Sequence, residues 1–232
     1  MPLVFGKGRA MFRRPTSLLP GPNMPNRLGA TATRVALVAA TLALFAMPAG
    51  AAGLNGMGKA IHGNTFNFSK ANLAKPAVGP IAMGPLKLEL QRTKLRDVQK
   101  ALGGTIRQEG ADGSRADWLC YNVEGGTVWF ISNPLGGFEF VMMVAAEAAT
   151  KPNKDCDAAP AGVGLPNFGA PGIGATLAEL KAAFGAASGS KIAYRSDRPG
   201  GYSDIAQYLG YVLKGGKVAG VGVGETSVPT AH

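Results

Sequence analysis

The chain has 232 residues, with 24 basic and 14 acidic side chains, two histidines and two cysteines. This length suits one or two domains, and two cysteines with no nearby histidine do not favour a structural zinc site, which takes four ligands. The formal charge of +10 would suit a nucleic-acid partner, but six basic and no acidic residues precede residue 52. The remainder carries only +4, and we expect no nucleic-acid partner.

Residues 1–52 are predicted to be an export signal. Arg27 and Arg34 supply a positive region, and residues 35–46 form an apolar run. A membrane anchor is the alternative, but this run is shorter than the roughly 20 apolar residues that span a bilayer. We therefore expect a periplasmic or secreted protein with no transmembrane span after the signal is removed.

The small residues at 48–52 offer two cleavage sites, after Ala51 or after Ala52. The positive region is unusually long if translation starts at Met1. A start at Met24 would give a signal of more ordinary length.

Export would place Cys120 and Cys156 in an oxidising compartment, where they can pair. A disulfide between them is therefore predicted. The alternative is a buried free Cys120 in a strand and an exposed Cys156.

Residues 53–84 are rich in Gly, Asn, Ala and Pro and are predicted to form a mobile or loosely packed arm. Gly58 and Lys59 end a near match to a phosphate-binding loop. Ala60 replaces the hydroxyl residue that would bind a metal ion, and no strand precedes the motif, so we interpret the match as coincidental. His62 is expected to be a solvated side chain.

The first core unit is predicted at residues 85–149. It begins with a short alternating strand and continues with a helix at 92–103, whose apolar stripe ends at a closing glycine pair. The stripe consists of Leu95, Val98 and Leu102. Strands are predicted at 105–108, 117–123, 127–132 and 138–147. Their short connections require antiparallel pairing.

A Pro-rich linker at 150–171 leads to a second unit at 172–227. Thr176 and Glu179 form a capping box at the start of its helix, which Gly185 ends. The three following strands are predicted at 191–195, 205–213 and 217–224.

A helix followed by antiparallel strands thus occurs twice. The predicted fold class is α+β, with two tandem repeats that each pack a helix on an antiparallel sheet. Chance could also produce two short amphipathic helices that end in glycine, but the order of the following parts is shared as well.

The pattern T-L-x-E-L-x-x-x-F-G at 176–185, with a looser copy at 93–103, resembles the helix signature of exported SmpA/OmlA (BamE-like) modules. The tandem arrangement is similar to that of the beta-lactamase inhibitor protein. The resemblance implies a helical layer on an antiparallel sheet and action through protein contact. The lipid-attachment Cys of the group is absent near the cleavage site.

Residues that carry chemistry are sparse. Glu109, Asp112 and Asp117 are the carboxylates nearest to an acid/base group, but solvated turns explain them more simply. A small hydrolase is therefore the least favoured function, and we expect no enzyme activity, cofactor or metal.

Binding has better support, because the last strand of the first unit is apolar on both faces. One face can pack on the helix, and the other must be covered by the second repeat, by the arm or by a partner. We expect a monomer that contacts an envelope or secreted protein. The candidate partner-binding residues are Trp118, Tyr121, Trp129, Phe130 and Met143. The alternative is that these side chains belong to the core.

A different kind of binding remains open, to a small anionic ligand or an envelope polymer. Arginines in the paired loops have the geometry to hold carboxylate or phosphate groups. The candidates are Arg107, Arg115, Arg195 and Arg198.

Overall fold

The computed structural model describes residues 53–63, 65–200 and 203–229. The predicted signal at 1–52 lies outside these residues. The described chain is α+β, with three α-helices and mainly antiparallel strands. The helices are α1 (Gly56–His62), α2 (Leu95–Leu102) and α3 (Leu177–Phe184). The first five strands are β1 (Ile81–Met83), β2 (Leu86–Leu88), β3 (Arg107–Glu109), β4 (Ala116–Val123) and β5 (Gly126–Ser132). The others are β6 (Met143–Ala148), β7 (Asp157–Ala158), β8 (Lys191–Arg198), β9 (Ser203–Lys214) and β10 (Lys217–Pro229).

Strands from both predicted units join one continuous sheet with the order β3-β4-β5-β6-β10-β9-β8, and β7 pairs with β4. Apart from the parallel β4–β7 contact, every pair in this sheet is antiparallel. The two units meet at its centre, where β6 pairs with β10. A separate hairpin is formed by β1 and β2.

The strand predicted at 138–147 begins later, at Met143. The reason is local, because the side chain of Asn133 accepts hydrogen bonds from the first N–H groups of a short 3₁₀ turn. Phe138 then adopts a positive φ of 60°, so the chain reaches sheet geometry only after a further turn.

Helices α2 and α3 contribute to the same buried cluster. Its α2 members are the predicted stripe, Leu95, Val98 and Leu102, and Leu180 is the fully buried residue of α3. Leu119 and Tyr121 of β4 belong to this cluster too. Residues of both helices thus share one buried cluster with strand residues of the sheet.

The other face is covered by the segment predicted to be a loosely packed arm. Leu54, Met57, Ile61 and Phe66 are all at least 94 % buried and pack with Trp118 and other side chains of that face. These four residues of the arm are therefore part of the core. The composition does not reveal this packing, because the segment has few apolar side chains. Its glycines, which have no side chain, allow the helix to lie close to the sheet.

The disulfide between Cys120 and Cys156 is present, as predicted. It ties β4 to the loop that precedes β7. The side chain of Asn122 adds hydrogen bonds to the same loop, at 2.9 Å to the carbonyl of Asn153 and 3.1 Å to that of Cys156.

Among the described residues, no helix is both long and apolar enough to cross a membrane.

Candidate functional site

Four of the five candidate partner-binding residues are buried. Trp118 and Trp129 are 2 % exposed, and Tyr121 and Phe130 are fully buried. The hydroxyl of Tyr121 donates to the carbonyl oxygen of Gly103 at 2.6 Å. These four are therefore core side chains and are not available to a partner in this conformation. Met143 alone remains partly exposed.

The indole of Trp129 is buried because α1 lies directly on it. A Cβ atom placed on Gly58 would lie 2.7 Å from the ring, and one on Gly56 would lie 3.0 Å from it. The glycines of the apparent phosphate-binding motif thus allow close helix–indole packing. This packing accounts for the pattern without any nucleotide.

The four candidate arginines are each paired with a carboxylate. Arg107 makes two hydrogen bonds to Asp157, at 3.0 and 3.1 Å, which hold the pKa of that carboxyl below its ordinary value. Arg115 makes two bonds of 2.8 Å to Asp117 and stacks on Phe138. The guanidinium groups of Arg107 and Arg115 thus bind carboxylates within the fold.

The other two arginines lie on β8, at the opposite edge of the sheet from β3. Arg195 donates to Asp197 at 2.7 Å, and Arg198 donates to Glu225 at 3.4 Å. The edges are separated by about six strand spacings of 4.8 Å, or roughly 29 Å. At this separation along the sheet, Arg107 and Arg195 are too far apart to bind one small ligand together.

A groove of about 540 Å³ opens on the face that α1 covers. It lies beside the end of α1, between the arm and the ends of the central strands. Its lining residues are Ile61, His62, Phe66, Asn67, Phe68, Ser69, Asn133, Leu135, Met143, Arg195, Tyr208, Gly224 and Thr226. The groove therefore brings Met143 together with Arg195, two candidates that sequence reasoning assigned to different functions.

Aromatic rings form one side of the groove. The ring centroids of Phe66 and Phe68 are 5.6 Å apart, and those of Phe68 and Tyr208 are 5.1 Å apart. The guanidinium of Arg195 lies over the Tyr208 ring at 5.4 Å and donates to the carbonyl of Phe68 at 3.0 Å. The rings and the guanidinium thus form one connected surface.

Leu135 lies at the rim of the groove. Its side chain is 67 % exposed, and it is the one exposed large hydrophobic residue among those the structure describes. The side chain of Asn133 accepts from the N–H groups of Leu135 and Gly136, at 3.1 and 3.3 Å. The leucine is therefore presented on a fixed turn.

His62 is half-buried and also lines the groove, contrary to the expectation of a solvated side chain. Burial lowers its pKa, and the negative charge of Glu109 acts in the opposite direction. The net shift favours the neutral imidazole. Among the described residues, no hydrogen bond joins it to a hydroxyl that would serve as a nucleophile, and no group of three His, Cys, Asp or Glu side chains is placed to hold a metal ion.

Comparison of the chain with known protein families, with curated proteins and with solved structures finds no significant match.

Sequence reasoning missed Phe66, Phe68, Leu135 and Tyr208. A signal for Phe66 was present in β9, where Gly210 lacks a side chain and a Cβ there would lie 2.9 Å from the Phe66 ring. The contact joins residues more than 140 positions apart, so no local pattern reveals it. Leu135 stands alone in a turn, where a single apolar residue has no periodicity.

Proposed function

We propose that this protein is an exported, non-enzymatic binding protein that contacts another secreted or envelope protein. One observation carries the proposal: a groove lined by aromatic and methionine side chains has the exposed Leu135 at its rim. Aromatic residues and methionine are enriched at protein interfaces, where an apolar anchor enters such a groove.

The chemistry of the lining indicates the occupant. The ionisable lining residues are His62, Arg195 and Tyr208, and none is a carboxylate. Arg195 lines the groove and uses only some of its five N–H groups on Asp197 and Phe68. We infer that the occupant is a partner segment with an apolar or aromatic anchor and a neighbouring carboxylate.

The predicted export signal and the disulfide support a periplasmic or secreted location. The disulfide is compatible with an oxidising compartment. The alternative function, binding of an anionic ligand by the arginine loops together, has weaker support because β3 and β8, which carry Arg107 and Arg195, lie at opposite edges of the sheet.

We also infer that the two units are tandem repeats, as the SmpA/OmlA-like pattern implies. The support is a matching set of hydrogen bonds at the start of each helix. Leu95 donates to the carbonyl of Glu139 at 2.8 Å, and Val141 donates to that of Thr93 at 2.8 Å.

In the second unit, Leu177 donates to Gly216 at 3.2 Å, and Val218 donates to Ala175 at 2.7 Å. Each helix start is thus joined in the same way to the segment at or just before the last strand of its unit. Both helices also end at a glycine with a φ near +80°, Gly103 at 77° and Gly185 at 86°.

A phage-displayed library of random peptides, selected on the purified protein, tests the groove. We expect enriched peptides to share an aromatic or large aliphatic residue with Asp or Glu close by. Leu135→Asp should weaken their binding by about tenfold or more, because it removes an apolar contact of hot-spot size and repels the carboxylate.

The matched control is Ala161→Asp, which adds the same charge to an exposed loop outside the groove. It should leave binding unchanged. A selection without any enriched motif, or peptides that bind Leu135→Asp as well as the unchanged protein, would refute the proposed site.

A further inference from the structure

The start of the described chain lies against a carboxylate. The Oε2 atom of Glu109 accepts a hydrogen bond from the backbone N–H of Leu54 at 2.8 Å. A Cβ atom on Gly53 would be 3.0 Å from the same oxygen, so this carboxylate also packs against the Cα of Gly53. The backbone nitrogen of Gly53 is bonded to that Cα at about 1.46 Å. The nitrogen of Gly53 therefore lies within about 6 Å of this carboxylate oxygen.

We propose that signal peptidase cuts the exported chain between Ala52 and Gly53, and that Glu109 then binds the new α-ammonium group of Gly53. The inference rests on the export part of the proposed function. It also chooses between the two cleavage sites that the small residues allow. Cleavage after Ala51 would place the ammonium one residue, up to about 3.6 Å, farther along the chain.

The bond change is a simple hydrolysis by one water molecule. The water oxygen joins the carbonyl carbon of Ala52, which leaves as a carboxylate. Both water hydrogens end on the nitrogen of Gly53, which becomes an ammonium ion. A neutral amide is thereby replaced by a positive charge beside Glu109.

Carboxylates near the start of the arm favour a positive charge on the nitrogen of Gly53. Glu147 of β6 accepts the N–H of Met57 at 2.9 Å, and Asp155 accepts the side-chain amide of Asn55 at 3.4 Å. With Glu109 of β3, three carboxylates from different parts of the fold hold residues 54–57. His62 also lies near Glu109, and burial lowers the pKa of its imidazole.

Pairing with Glu109 raises the pKa of the α-ammonium in the folded state above its value in the unfolded chain. The stabilisation is therefore fully present below the unfolded pKa and is lost as the pH rises through the folded pKa. The ion pair also adds a contact that holds α1 against the sheet once the signal has been removed.

Two purified forms test the pairing, one that starts at Gly53 and one that retains Ala51 and Ala52. At pH 7 the Gly53 form should melt about 1–3 °C higher, as expected for one partly exposed ion pair in a domain of this size. The difference should vanish at a pH above the α-amino titration. NMR titration of the Gly53 amine should give a pKa above the ordinary range for an α-amino group.

Glu109→Gln keeps an oxygen acceptor for Leu54 and removes the charge, so it should abolish both effects. Glu89→Gln, on an exposed carboxylate paired with Arg92, is the control and should preserve them. Equal melting of the two forms, or an ordinary pKa in the Gly53 form, would overturn the pairing.

N-terminal sequencing of the protein recovered from exporting cells tests the cleavage site. We expect Gly53 as the first residue, and any other first residue would overturn the assignment. Neither measurement involves the groove, so failure here and failure of the proposed binding function are distinguishable.

Discussion

Gly58→Val is expected to lower the free energy of unfolding by about 3 kcal/mol. A Cβ atom at this position would lie 2.7 Å from the ring of Trp129, and valine adds two further methyl groups. Because the indole is only 2 % exposed, the upper part of the cost range for overpacking applies. Chemical denaturation followed by tryptophan fluorescence measures the loss.

Lys59→Val is the matched control on the same helix, because Lys59 is exposed. It introduces the same β-branched residue with the same helix propensity and should change stability by less than about 0.5 kcal/mol. If the two variants were equally stable, α1 would not be seated on Trp129, and the glycine motif would need a different explanation.

The largest expected effect belongs to the disulfide. The double variant Cys120→Ala/Cys156→Ala opens a loop with a sequence separation of 36 residues. The chain-entropy relation gives a loss of about 4 kcal/mol for a loop of this length. We expect the denaturation midpoint to fall accordingly, with no change in the fold of the native state at low denaturant.

Reduction of the unchanged protein should reproduce that loss, and the same reductant should leave the double variant unaffected. This comparison separates the cross-link from the packing of the buried Cys120 side chain. If reduction did not shift the midpoint, the cross-link would contribute nothing to stability.

The local parts of the fold were predictable because local patterns carry them. The stripe formed by Leu95, Val98 and Leu102 and the capping box at Thr176 and Glu179 are i, i+3 and i+4 relations within one helix. Alternation likewise separated Trp118 from Leu119, and the structure places these side chains in different clusters.

The cover of the second face was not predictable in the same way. Its fit depends on glycines of β10, where Cβ atoms at Gly220 and Gly222 would lie 3.1 Å from Met57 and Ile61. A missing side chain leaves no mark in a hydrophobicity pattern, and its partner is about 160 residues away. The open question of whether the second repeat, the arm or a partner covers this face is answered in favour of the arm.

In the candidate site, too, the sequence predicted local features but not the contacts between distant residues. Large aromatic residues in strands suggested a contact surface, but their size and alternation are also what a buried core requires, and the core explanation holds for Trp118 and Trp129. The four candidate arginines are each paired with a carboxylate in the fold, and the arginine-loop site stays a prediction. The groove instead depends on where the arm places Phe66 and Phe68 relative to Tyr208.

Site-specific photo-crosslinking in cells that export the protein tests the central claim most directly. A photoreactive amino acid replaces Leu135 in one strain and Ala161 in another. We predict a discrete protein adduct from position 135 that a peptide selected on the groove suppresses, and no such adduct from position 161. No adduct from position 135, or the same adducts from both positions, would contradict the claim that this groove contacts another secreted or envelope protein.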